Sequence, residues 1–225
     1  MDFREVVSTT GTCRFFEPRP VPQDVLARVF DAARWAPTGG NRQPVRFVAV
    51  TDAAKRRAIA DLYWPIWEGY AGGGRQASAA LPDSPAKRAA QRMLANADHM
   101  ARHLAEVPVH VVVCAHLPDL YPSDANLGRL SVVGGASIYP AVQNLILAAR
   151  REGLGTALTT LLCAKEPEVK ALLGIPEAYL TAAMLPLGWP AKPFPTKLRR
   201  RPLEELAFVD TWGAGLRAGG APEAG

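Results

Sequence analysis

Cysteine is scarce in this chain: Cys13, Cys114 and Cys163 are the only three, widely spaced and without a C-x-x-C pair. An odd, sparse set argues against a disulfide framework and fits a reducing compartment. Long apolar runs are missing too, since those at Val109–Ala115 and Ile138–Ala149 are too short or interrupted to span a bilayer. The opening Met1-Asp2-Phe3-Arg4-Glu5 has no signal-peptide apolar core, so a cytoplasmic location is expected. No Ser or Cys sits on a recognisable nucleophile elbow, which leaves a hydrolase triad without support. There are four histidines. His99 and His103 are spaced to share a helix face, but Met100 stands where a zincin needs Glu, and they read as surface residues rather than metal ligands. His110 and His116 read as structural, and no metal is expected.

What is present is ordinary for a globular chain: 48% of the 225 residues are hydrophobic and 21% charged. That excludes a mostly disordered chain, a coiled coil and a collagen-like repeat. The length suits one domain, placed at 1–212, with a Gly/Ala/Pro-rich tail over 213–225. The 26 basic and 21 acidic residues give a net charge of +5, which favours anionic partners.

Short apolar and polar alternations divide the chain. Phe3–Val7 reads as one or two helical turns. Val25, Leu26, Val29, Phe30 and Ala33 recur at helical spacing, and Ala36–Asn41 stops that helix with turn formers. Arg46–Val50 reads as a strand, and Asp52 is placed to cap a helix over Ala53–Leu62. Tyr63, Trp64, Trp67 and Tyr70 beside Gly72-Gly73-Gly74 look like a mobile lid rather than core. Pro85 to about Leu104 is helix. Val107–Ala115 is the strongest strand, and its unbroken apolar run implies burial on both faces. Leu117–Arg129 looks irregular. Ala136–Arg151 is a helix apolar nearly all round, which calls for burial in the fold or across a subunit interface. Thr156–Leu162 reads as extended, Glu166–Leu173 as a short helix and Tyr179–Leu187 as a strand. Without the tight βαβ rhythm, the class is α+β.

Glycine motifs fail on context. Gly153-Leu154-Gly155-Thr156 follows a helix and enters a strand, the reverse of a dinucleotide fingerprint, and Gly72-Gly73-Gly74-Arg75 is not a phosphate loop. The run Lys197, Arg199, Arg200, Arg201 has three readings: a nucleic-acid patch, a solvated cluster, or guanidinium forks on one phosphate. The residues alone do not choose among them.

Three stretches read together resemble the nitroreductase family of FMN enzymes. They are Thr10-Gly11-Thr12-Cys13-Arg14-Phe15-Phe16 followed by Pro20-Val21-Pro22, then Ala33-Arg34-Trp35-Ala36-Pro37-Thr38-Gly39-Gly40-Asn41-Arg42-Gln43-Pro44, then Gly135 to Leu145. Gly153–Thr156 and the Arg-rich segment before Pro202 complete the order, so the resemblance runs from about Val6 to Trp212. Two departures stand out: Thr10, Gly11 and Thr12 replace the family's Arg-Arg-Ser or Arg-His-Ser, and Val45 replaces Trp.

The resemblance implies a mostly antiparallel sheet flanked by helices, and a homodimer in which both subunits build each flavin pocket. It implies bound FMN, NADH or NADPH as co-substrate, and ping-pong reduction of nitroaromatics, quinones or similar flat acceptors. No side chain is then obligatory for catalysis, because the cofactor performs the redox chemistry. Arg14, Arg199 and Arg200 would neutralise the phosphate, with the Thr12 hydroxyl beside them. Asn41 and Gln43 both donate and accept, which suits the ring's polar edge or the ribityl hydroxyls. Thr38 and Gly39 let the backbone approach closely, and Leu158, Thr159, Thr160 and Leu161 would run beside the reactive N5 side. Trp64, Trp67 and Tyr70 are the lid candidates, with interface packing as their other reading. The expected partners are a small-molecule substrate and a second copy, not nucleic acid or a membrane. Reductive dehalogenation, oxidative dehydrogenation and a non-enzymatic basic binding protein stay open as alternatives.

Overall fold

The computed structural model describes residues 1–216. Its organising element is strand β2, Val109–His116. Successive side chains of a strand point to opposite faces, so an unbroken apolar run serves two cores at once. Val109, Val111, Val113 and Ala115 join one cluster, and Val112 and Cys114 the other. β1 (Val45–Val50), β3 (Gly155–Thr156) and β4 (Tyr179–Gly188) complete a four-stranded antiparallel sheet in the order β1-β2-β4-β3. The α+β architecture is as expected.

Helices α2 (Gln23–Ala33) and α5 (Tyr139–Arg151) cover the first face. Val29, Leu145 and Leu185 are fully enclosed there, each contributing about 2 kcal/mol of burial. Ala53–Ala80 forms α3 on the second face; Ile59, Tyr63 and Trp67 meet Val112 and Met184. The remaining helices are α1 (Phe3–Thr9), α4 (Pro85–Arg102), which pairs with α3 as a hairpin, and α6 (Glu166–Leu173). The Asp52 carboxylate accepts from Lys55 N at 2.9 Å and caps α3 as its sequence promised. Replacing it (Asp52→Ala) is expected to cost about 1 kcal/mol, read as a lower urea midpoint at unchanged slope.

The largest correction concerns α3. The helix does not stop at Leu62 but runs through Pro65 and Gly72–Gly74 to Ala80, so the expected loop lid is helical. Tyr63, Trp67 and Ala71 recur every four residues and are all buried, and this packing outweighs the local helix breakers. Trp67 is therefore core, and Trp64 carries the Arg102 guanidinium 4.6 Å above its ring, while Tyr70 stays exposed.

Other boundaries shift for local reasons. α5 begins at Tyr139, with Pro140 in its first turn, after a 3₁₀ turn over Val133–Ser137. Only one face of α5 is enclosed (Ala141, Val142, Leu145, Ala149), and Ile146, Leu147 and Ala148 remain half-buried. The extended segment after Gly155 is short, because Thr159 Oγ1 accepts from Leu161 N at 3.3 Å and turns the chain into a 3₁₀ turn over Leu161–Lys165.

β3 and the segment after β4 pair with residues 8–17 in a seam. Cys13 N donates to Thr156 O, Glu17 N to Trp189 O, Ala191 N to Phe15 O and Leu198 N to Ser8 O, all at 2.8–2.9 Å. A β-carbon on Gly155 would lie 2.5 Å from Cys13 Cβ, so this seam requires glycine there. Of the tail expected from Gly213 onward, 213–216 turn back so that Leu216 N bonds Ala207 O at 2.8 Å, and 217–225 lie outside the described residues. Among the described residues no helix is long and apolar enough to cross a membrane, and all three cysteines are free.

Candidate active site

A cavity of about 610 Å³ lies between the seam and the α3–α4 hairpin. Its floor is polar and comes from Thr12, Arg14 and Ala157–Leu161. Ala157 N bonds Pro186 O at 3.1 Å and Thr159 N bonds Met184 O at 2.9 Å. Peptide groups alternate along an extended chain, so the Leu158 N–H between these two bonds points away from β4. Tyr63 stands under the floor with its hydroxyl 3.2 Å from Thr159 Oγ1. Burial pushes the Tyr63 phenol above its ordinary range, partly countered by the Thr159 hydrogen bond and by the charge of Arg14. Arg14 is half-buried, lines both this cavity and an adjoining notch of about 210 Å³, and has no ion-pair partner among the described residues.

The roof is apolar. Trp67, Tyr70, Ala71 and Gly74 come from α3, and Met93, Leu94, Ala97 and Met100 from α4. Neighbouring aromatic packing holds the seam against α4: Phe15 stacks on His99 at 4.3 Å, His99 on His103 at 4.1 Å, and Lys192 Nζ sits 3.2 Å over the Phe15 ring. The histidine pair thus packs the seam, and among the described residues no group of three His, Cys, Asp or Glu could hold a metal. Cys13 donates its thiol to Phe15 O at 3.2 Å, and burial raises its pKa.

Thr38 and Gln43 line a different cavity, of about 300 Å³, with Arg34, Arg46 and Phe47. The loop carrying them is unusual: Gly40, Asn41 and Gln43 have φ of 58°, 51° and 51°, a region few residues but glycine and asparagine adopt. It is held by Gln43 N on Thr38 Oγ1 (3.1 Å), by Gln43 Nε2 on Asn41 Oδ1 (3.2 Å) and by Gly39 N on Ser137 Oγ (3.0 Å). The two amide side chains face solvent.

A model of the nitroreductase family matches residues 8–189. The chain belongs to the nitroreductase family. Membership carries the class oxidoreductase. The 5,6-dimethylbenzimidazole synthase of Rhodospirillum rubrum is 31% identical over 186 residues, 81% of this chain and 79% of that one. The NADH dehydrogenase of Thermus thermophilus is 26% identical over 217 residues, 92% and 96% of the two chains. A BluB-like flavoprotein of Clostridium difficile 630 shares the fold at a TM-score of 0.69 and 20% identity, covering 94% of this chain and all of the other.

Against that family background, one chain unites Thr12, Arg14, Leu158, Thr159, Thr160 and Leu161 in a single cavity, with Trp67 and Tyr70 over them. Thr38 and Gln43 lie at the second cavity, and Gly39 and Asn41 on the loop beside it. Arg199 and Arg200 are exposed and line neither; Arg200 Nη1 bonds the Arg199 carbonyl at 2.8 Å. Trp64 lines neither cavity. Sequence reasoning placed Tyr63 in the expected lid rather than at the floor and missed the roof residues of α4, although Met93, Ala97 and Met100 recur at helical spacing.

Proposed function

We propose that this nitroreductase-family chain is an FMN-dependent enzyme that takes hydride from NADH or NADPH. In an alternating second half-reaction it reduces nitroaromatics, quinones or similar flat acceptors. The observation that carries the reading is the floor of the 610 Å³ cavity, where the Arg14 guanidinium, without an ion-pair partner among the described residues, and the Leu158–Leu161 backbone lie beneath an apolar roof. That donor set fits FMN, whose ring has a polar edge and takes up negative charge on reduction. When bound, FMN supplies the hydride-accepting ring.

The chain's own groups then have separate tasks. The N–H of Leu158 donates to the ring edge where charge develops, and Arg14 offsets that charge. Tyr63 braces Thr159 from below through their hydrogen bond. Arg199 and Arg200, starting just after the Leu198–Ser8 bond, hold the phosphate with Thr12. The apolar roof excludes water and lets a flat acceptor stack.

The cofactor lies between two copies of the chain. Thr38, Gly39, Asn41 and Gln43 complete the pocket from the second copy, which accounts for their separation from Arg14 within one chain. The half-buried outer face of α5 supplies apolar surface for that contact.

Purified protein is expected to show flavin absorption bands that bleach anaerobically with NADH or NADPH and return with a quinone. It should also elute as a dimer. A colourless protein that takes up no added FMN overturns the reading. The relative named as a synthase favours a second reading, different flavin chemistry on the same floor; bands that bleach but are restored by no quinone or nitroaromatic would select it.

A further inference from the structure

The roof of the cavity contains a hinge and a latch. Glycine is the weakest ordinary helix former, and α3 places Gly69, Gly72 and Gly73 where a β-carbon would meet nothing within 4 Å. Close packing therefore does not require them, and they leave α3 soft midway along the roof. One carboxylate spans the soft stretch. Asp98 Oδ1 on α4 accepts from Trp67 Nε1 at 2.8 Å, before the glycines, and from Arg75 Nη2 at 2.7 Å, after them. Glu68 also holds that Arg75 nitrogen, at 3.1 Å. Partial burial raises the Asp98 pKa, but the hydrogen bonds of Trp67 and Arg75 outweigh it and hold the carboxyl below its usual range.

The geometry points to Asp98 as a positioning residue that governs acceptor size: by tying both sides of the glycine stretch to α4, it sets how far the α3–α4 roof opens above the floor. Acceptors too thick or wide for the closed roof enter only when the Arg75 side of α3 swings out. Asp98 itself touches neither acceptor nor cofactor. The acceptor part of this inference rests on the oxidoreductase reading above, whereas the opening of the roof does not.

The test pairs a loosened and a stiffened roof in the full chain with FMN added. Asp98→Ala removes the latch; Gly72→Ala with Gly73→Ala stiffens the hinge without removing any contact. Amide hydrogen exchange across residues 68–94 is expected to rise about tenfold in the first and fall in the second, with the sheet unchanged. With 1,4-benzoquinone and 9,10-phenanthrenequinone as small and bulky acceptors, the bulky-to-small ratio of kcat/KM should rise about tenfold in Asp98→Ala. The change should lie in KM, and the glycine variant should move oppositely. Unchanged exchange in both variants overturns the latch whatever the protein binds. Changed exchange with an unchanged ratio overturns its role in acceptor selection. If the parent protein reduces no acceptor, the proposed function fails and the exchange result alone decides the latch.

Discussion

Arg14→Ala is expected to weaken FMN binding by roughly tenfold to a hundredfold, the loss of a charge-assisted hydrogen bond from a partly desolvated site. Titration of the protein against FMN fluorescence measures it. Arg14 is the one cation on the floor of the 610 Å³ cavity, and no carboxylate among the described residues pairs with it. Its removal therefore breaks no ion pair, and thermal stability in the absence of FMN should change little. Arg14→Lys should recover part of the affinity, since an ammonium keeps the charge but loses the planar fork. Unchanged affinity in Arg14→Ala would remove the residue from the site.

Acid should destabilise the fold through one buried histidine. His110 is fully buried on β2, its Nε2–H donating to Leu104 O at 2.8 Å, while Nδ1 has no partner. Burial, chiefly, lowers its pKa to about 4, with the Leu104 hydrogen bond opposing and the Arg56 charge adding to the drop. The unfolded chain takes up this proton near pH 6.5, whereas the folded chain resists until about pH 4. Between those values the unfolded state binds more protons, so stability falls as pH falls, by about 3 kcal/mol at pH 4. His99 is shifted the same way, by burial first and then by His103 and Lys192. Urea unfolding from pH 7 to pH 4 measures the slope. His110→Gln, which keeps a donor for Leu104 O, should flatten it, and an equally steep slope in that variant would assign the acid sensitivity elsewhere.

What could be read in the sequence followed from whether local signals agreed with packing. β2 was legible because burial on both faces leaves a run that is apolar but for His110. The Thr38–Gln43 loop was legible because residues able to adopt its backbone are clustered there. The second half of α3 was not, since Pro65 and three consecutive glycines argue for a loop. Only the four-residue spacing of Tyr63, Trp67 and Ala71 against the sheet overrides them. The partition of the candidate site was equally hidden. Linear order places Thr12, Asn41, Leu158 and Arg200 in one family pattern, but nothing in it tells which residues share a cavity within one chain. Tyr63 reads with its aromatic neighbours as part of a lid, while its hydroxyl reaches a threonine nearly a hundred positions away.

The seam that joins Ser8–Glu17 to Trp189–Leu198 also bears on how the molecule is made. Its partners lie well over a hundred positions apart, so closing it carries the entropy of a long loop and is slow. The sheet and α5 can consolidate while residues 8–17 are still unpaired. Arg14 is flanked by the seam bonds at Cys13 and Phe15, so its place on the floor is set by these long-range pairings rather than by the sheet alone.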